Sequence, residues 1–336
     1  MRYRAISHSA RQRPIENRES KIENYPSLPS PLTLTNNHHI HTTLTNHHTM
    51  NLYNAKQLCD VAAAKGFAIP ALNNNGGSYD IGRAIIEACE ELQSPLIIQC
   101  YEPNLEYRGF DYAGKLIRWL AADSTIPMAI ALDHGSSPQT VLRAVRAGFT
   151  HVMIDYAHKP IAENIAGTKL VLDLVRPLGI SVEAEIGHII KSSDASDKRA
   201  PVVSVEEVKE FLAGVDVDLL AVAVGSTHGI FKEQHGIRFD LISQLKQISK
   251  APLVQHGTCG ISLEDIARIA KAGMTKINFG EGLRMNYINY YNELTQTLNH
   301  EWHTWRIDRA AKDKLKEDLK AIIRACGSEG RAADFR

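Results

Sequence analysis

The 336-residue sequence carries no charge excess, with Lys and Arg totalling 38 and Asp and Glu also 38. Chains that bind nucleic acid normally show a basic surplus, so the balance argues against that class of partner. Long apolar runs are missing as well. Hydrophobic residues make up 44% of the chain, enough for a large core, but no run approaches the roughly 18 residues of a membrane span. Cysteine is sparse. Cys59, Cys89, Cys100, Cys259 and Cys326 are odd in number and show no C-x-x-C spacing. They read as reduced thiols of an intracellular, cytoplasmic protein rather than a disulfide framework. No G-x-G-x-x-G follows the first candidate strand, which counts against a dinucleotide-binding open sheet.

What the chain has in surplus is histidine, fifteen in all. Six of these (His8, His38, His39, His41, His47, His48) fall within residues 1–49. That stretch begins Arg-rich, passes through Pro26, Pro29 and Pro31, and ends in a Thr/Asn/His tract without helical or strand period. It is expected to be a disordered tail, with Met50 as an alternative initiator. Metal binding by the tract is a secondary reading. So is mitochondrial import, because Glu16, Glu19 and Glu23 sit poorly in a transit peptide.

From residue 50 to residue 336 short Ile/Val-rich runs alternate with helical patterns. Candidate strands cover Phe67–Asn73, Leu96–Cys100, Met128–Asp133, His151–Asp155, Ser181–Glu185, Leu219–Val222, Leu253–His256 and Lys276–Phe279. Several lack polar alternation, as strands covered on both faces do. Helix starts are signalled at Ser204-Val-Glu-Glu207 and Ser262-Leu-Glu-Asp265, and helix ends at the Ala-Gly pairs 147–148 and 272–273. Asn51 to Gly66 reads as a first amphipathic helix, and Tyr287 to Ala325 as helical. Eight strands alternating with helices predict an α/β fold, a (β/α)8 TIM barrel with extra C-terminal helices; a doubly wound sheet is the alternative.

In such a barrel the chemistry lies at the C-terminal ends of the strands. Polar residues collect there: Asn73 after the first strand, Asp133-His134 after the third, Asp155 after the fourth, Glu183 and Glu185 on the fifth. His228-Gly229 follows the sixth, His256-Gly257 the seventh, and Asn278 ends the eighth. Three histidines on one rim can give a divalent ion three nitrogen ligands and leave a position open, the form of a catalytic zinc site. Asp133, next to His134, is a candidate general acid/base. Asp155 and Glu185 are candidates for metal binding or for salt bridges.

The segments Leu132-Asp-His-Gly135, Val152-Met-Ile-Asp155, Val182-Glu-Ala-Glu-Ile-Gly187, Ala223-Val-Gly-Ser-Thr-His-Gly229 and Gln255-His-Gly257 resemble, in order and spacing, the class II metal-dependent ketose-bisphosphate aldolases, which cleave fructose- or tagatose-bisphosphate. The resemblance implies reversible aldol cleavage of a ketose (bis)phosphate or related sugar through a metal-stabilised enediolate. It implies that His134, His228 and His256 bind one catalytic Zn2+, and that Asp133 is the proton donor to the aldehyde oxygen. Asp155 and Glu185 would occupy a second-cation or outer position, Gly229 and Gly257 would offer N–H groups to a phosphate, and Asn73 and Asn278 would contact substrate. It further implies a small-molecule sugar or sugar-phosphate as partner and a homodimer or homotetramer.

Three departures from the family pattern stand out. H-G-x-S-G becomes His256-Gly-Thr-Cys259-Gly260, replacing a hydroxyl by a thiol. The end of the eighth strand reads Asn278-Phe-Gly280-Glu281, where N-x-[AD]-[TS] is usual, so a carboxylate replaces another hydroxyl. The loop after the fifth strand lacks G-G-x-E-[ED], leaving Asp194 or Asp197 as candidate bases. The implied substrate is therefore not necessarily a bisphosphate. An aldolase-like metal-binding protein without activity, and a barrel without metal, remain as alternatives.

Overall fold

The computed structural model describes residues 51–187, 189, 200–229, 236–298 and 301–335. The expectations for residues 1–49 and Met50, and for Asp194 and Asp197, lie outside them. Eight strands form the frame: β1 (Ile69–Asn73), β2 (Leu96–Tyr101), β3 (Met128–Gly135), β4 (His151–Ile154), β5 (Ser181–Ile186), β6 (Leu219–Val222), β7 (Leu253–Gln255) and β8 (Met274–Phe279). Each pairs in parallel with the next and β8 closes onto β1, so the sheet is a closed (β/α)8 barrel.

The helices are α1 (Ala55–Lys65), α2 (Tyr79–Glu91), α3 (Glu102–Arg108), α4 (Phe110–Leu120), α5 (Pro138–Arg146), α6 (Ile161–Val175), α7 (Val205–Gly214), α8 (Phe239–Ile248), α9 (Leu263–Ala272), α10 (Glu281–Thr297) and α11 (Thr304–Ala325). The expected start signals operate. Ser204 and Glu207 form a reciprocal capping box on α7, and Ser262 accepts from the Asp265 amide at the head of α9. The C-terminal stretch expected to be helical holds two helices, α10 ending at Thr297 and α11 starting at Thr304. No helix among the described residues is long and apolar enough to cross a membrane.

Strand alternation sorts the side chains into two cores. Outward-facing Val182, Ala184 and Ile186 of β5, Ile130 and Leu132 of β3 and Ile277 and Phe279 of β8 join the large cluster under the helices. Inward-facing Ile69, Ala71, Ile97, Ala129, Ala131, Leu219, Ala221 and Val254 form a second cluster with Leu58, Cys59 and Ala62 of α1, which closes the end of the barrel opposite the strand C-termini. The inner positions of β4, β5 and β8 are polar instead: His151, Ser181, Glu183, Glu185, Lys276 and Asn278 are all buried. That polar side leads to the open rim.

Candidate active site and metal centre

At the C-terminal rim a cleft of about 1010 Å³ opens. Of the residues expected from sequence, Asn73, Asp133, His134, Asp155, His228 and His256 line it, as do Gly229, Gly257, Cys259, Asn278, Gly280 and Glu281. Glu185 lies just beneath, 4.0 Å from His256. Residues from seven different strand ends thus meet at one place.

The most local irregularity is in β3. Successive residues of a strand face opposite sides, yet Asp133 and His134 both turn to the cleft. The backbone makes this possible by breaking register with β4 between Leu132 and Gly135 and by placing His134 at φ +53°, a left-handed conformation uncommon for a side-chain-bearing residue. Gly135 must lack a side chain, because a Cβ there would lie 2.5 Å from the Met153 carbonyl oxygen.

Two histidines are oriented by carboxylates. His134 Nδ1 is 2.7 Å from Asp155 Oδ2, and His256 Nε2 is 2.7 Å from Glu183 Oε1. With both outer nitrogens so engaged, the inner ones, His134 Nε2 and His256 Nδ1, face each other at 3.1 Å. His228 completes the group, its ring centroid 5.1 Å from that of His134. One ligand atom from each of His134, His228 and His256 lies within 4.8 Å of the others, and the same holds for His134, Asp155 and Glu185. The two sets share His134, so they describe two adjoining cation positions.

The electrostatics call for positive charge here. Burial opposes a charge on His134, but Asp133, Asp155 and Glu185 outweigh it and raise its pKa to about 10. Burial also works against the Asp155 carboxylate, yet the contacts with His134 hold its pKa well below the ordinary value. Glu185 is pushed up to about 8 by burial and by repulsion from Asp155. Its Oε1 accepts from the Ile189 amide, while its buried Oε2 has no hydrogen-bond partner among the described residues. Burial depresses the pKa of His256 below the ordinary imidazole value, against the pull of Glu183. A proton on His134 supplies one unit of charge at this point, and a divalent ion can displace it. The donor set fits such an ion: two imidazole nitrogens bound to tetrahedral zinc stand about 3.3 Å apart, close to the spacing seen.

Asp133 is gripped from two sides, Asn73 Nδ2 donating to Oδ2 at 3.0 Å and Asn278 Nδ2 to Oδ1 at 3.2 Å. Across the cleft, Glu281 and Arg284 flank Cys259; burial and Glu281 raise the thiol pKa, and Arg284 works against them. Thr258, one residue earlier, instead donates to the Asn278 carbonyl at 2.6 Å. Gly257 has φ +67°, and a Cβ on it would meet the Thr227 carbonyl at 2.7 Å.

Several lining residues escaped the sequence reading. Gln99, Tyr101, Glu102 and His158 belong to the wall, and Tyr101 sets its ring edge against His134. Glu102 accepts from the Ser136 amide and hydroxyl and from Thr140, tying the first turn of α3 to the end of β3. Its position just past a strand end was the available signal.

A family model described as fructose-bisphosphate aldolase class-II matches residues 53–331. The chain belongs to this family. The fructose-bisphosphate aldolase of Thermus caldophilus is 31% identical over 297 residues, spanning 81% of this chain and 96% of that protein. Among solved structures, the YdjI aldolase of Escherichia coli K12 superposes with a TM-score of 0.74 at 27% identity, covering 84% of this chain and 99% of that one. As a class II aldolase the chain is a carbon–carbon lyase of the metal-dependent type.

Proposed function

We propose that this protein is a zinc-dependent aldolase that cleaves a ketose or ketose phosphate reversibly, and that the substrate is not obliged to be a bisphosphate. The observation that carries the metal reading is the pair of inward nitrogens on His134 and His256, each fixed by a carboxylate behind it. His134, His228 and His256 would hold the ion, with Asp155 and Glu185 at hand for a second cation. When bound, zinc would supply Lewis-acid stabilisation of the negative charge that develops on the ketose oxygens.

The remaining work falls to the chain itself. Asp133 holds the proton for the aldehyde oxygen, giving it in condensation and taking it back as the carbon–carbon bond breaks. Asn73 and Asn278 keep its carboxylate aimed into the cleft, so little reorganisation is needed when the proton moves. The backbone N–H groups of Gly229 and Gly257, which line the cleft, would meet the substrate's terminal group. Beside that end, Glu281 puts a carboxylate where a phosphate dianion would be repelled. Buried, unbridged thiols favour a cytoplasmic setting, and the exposed Trp302 and Trp305 favour assembly into a homodimer or homotetramer.

The test is metal analysis of the purified protein followed by retro-aldol assays on phosphorylated and free ketoses. The expected result is stoichiometric divalent metal and aldehyde release that a chelator abolishes and zinc restores. Cleavage that survives full chelation would remove the metal reading. Bound metal with no aldehyde from any ketose would favour the catalytically silent relative.

A further inference from the structure

We propose that Lys276, a buried lysine on β8, is a positioning residue that fixes both the nitrogen His256 presents to the metal and the orientation of Asp133. The inference rests on the metal reading above. Lys276 is 2% exposed and touches neither cleft nor solvent. Its ammonium donates to Glu183 Oε2 at 2.8 Å and to Asn278 Oδ1 at 2.8 Å.

An ammonium can only donate. The oxygen of the Asn278 amide must therefore face Lys276, and its NH2 must face Asp133, 3.2 Å away. Without Lys276 nothing on that side of the side chain distinguishes the two amide orientations, and the flipped one would set an oxygen against the Asp133 carboxylate. The second contact acts through Glu183. This carboxylate accepts from Lys276 and His151 at Oε2 and from His256 at Oε1. Glu183, an acceptor closer to Nε2 at 2.7 Å than the Asn278 amide nitrogen at 3.1 Å, takes the hydrogen of His256 there, which leaves Nδ1 without one, facing His134 and the Asn278 NH2 3.4 Å away.

The column continues downward and is consistent to its foot. Ser181 Oγ accepts from the amides of Ala55 and Lys56 at the head of α1, at 3.1 and 3.4 Å. Its own hydrogen is then free for His151 Nδ1, 2.9 Å away, so His151 carries its hydrogen on Nε2 and gives it to Glu183. Lys276 is the one full cation touching Glu183 in this line and the branch point between the two arms that reach the cleft.

The test measures zinc affinity of the full-length protein by competition with a chromophoric chelator, with circular dichroism as the check on folding. Lys276→Met keeps length and removes every donor. It is expected to weaken zinc 10–100-fold, the usual cost of losing an outer partner of a ligand, and to lower kcat/KM with an altered pH profile. Because Lys276 acts on His256 through Glu183, the Lys276→Met/Glu183→Gln double variant should bind zinc no more weakly than Glu183→Gln alone. Zinc affinity within two-fold of the parent in folded Lys276→Met, or losses that multiply in the double variant, would overturn the proposal. Should Lys276→Met not fold, Lys276→Gln, which retains a donor for Glu183, is expected to show an intermediate loss, and parental affinity would count equally against it. Absence of zinc binding in the parent protein would instead refute the metal reading itself.

Discussion

Asp133 shows how a single side chain can be tested apart from the metal. Its two oxygens take one amide donor each, from Asn73 and Asn278. Asp133→Asn keeps the size and loses the proton-transfer group. It should lower kcat by about 10²–10⁴ while leaving zinc affinity near the parent value; a parallel loss of zinc would mean that Asp133 serves the metal instead. Glu281 poses the substrate question. Glu281→Thr removes a carboxylate beside Cys259 and restores a hydroxyl. It should raise kcat/KM for a phosphorylated ketose relative to its unphosphorylated counterpart by about tenfold, equivalent to roughly 1.4 kcal/mol. An unchanged ratio would show that Glu281 faces away from the substrate's terminal group. The rim histidines were legible in the sequence because each stands at a strand end next to Gly or Asp; Asp133 was legible as the neighbour of one of them, and Glu281 as a departure from the family pattern. Lys276 and His151 were not, because within an apolar strand the sequence alone does not say that a polar residue will find buried partners across the barrel.

At the scale of the element, β3 marks where periodicity stops being a guide. Strict alternation would send Asp133 and His134 to opposite faces; the register shift and the left-handed His134 bring them together, and no sequence pattern announces that. Of the paired helices α2 and α11 only the second was foreseen by range, within Tyr287 to Ala325, and what joins them is charge as well as packing. Glu87 of α2 meets Lys312 at 2.5 Å and Lys316 at 3.5 Å, and also Arg83 within its own helix. Burial pushes the Glu87 pKa upward, but the contacts with Lys312 and Arg83 outweigh it and hold the group below its ordinary 4.5. A carboxylate lowered in the folded state contributes stability that is full above its unfolded pKa and is lost as pH falls through the folded one. Glu87→Gln should therefore cost about 1 kcal/mol at neutral pH. Thermal unfolding followed from pH 7 downward should show the gap to the parent closing below about pH 4. A gap independent of pH would assign the cost to packing alone.

At the scale of the whole molecule, the proposed metal site depends on closure of the barrel. The candidate ligands His134 on β3, His256 just after β7 and His228 in the loop after β6 converge only when all eight strands close, so the unfolded chain offers no comparable site. The strand count and the rim histidines made this closure readable from sequence, whereas the polar column on one inner side of the barrel emerges only once β8 lies against β1 and opposite β5. An ion that binds the folded state alone stabilises it by mass action, about 2.7 kcal/mol when free zinc is 100 times its dissociation constant. Chelated protein should then unfold at lower denaturant than zinc-loaded protein, with an unchanged slope, because the same surface is exposed in each case. His256→Ala should abolish the difference, since it removes a ligand that is completely buried. If zinc raised the midpoint of that variant as much as the parent's, the stabilising ion would be bound elsewhere on the chain, and the three-histidine centre would not be the site that ties folding to catalysis.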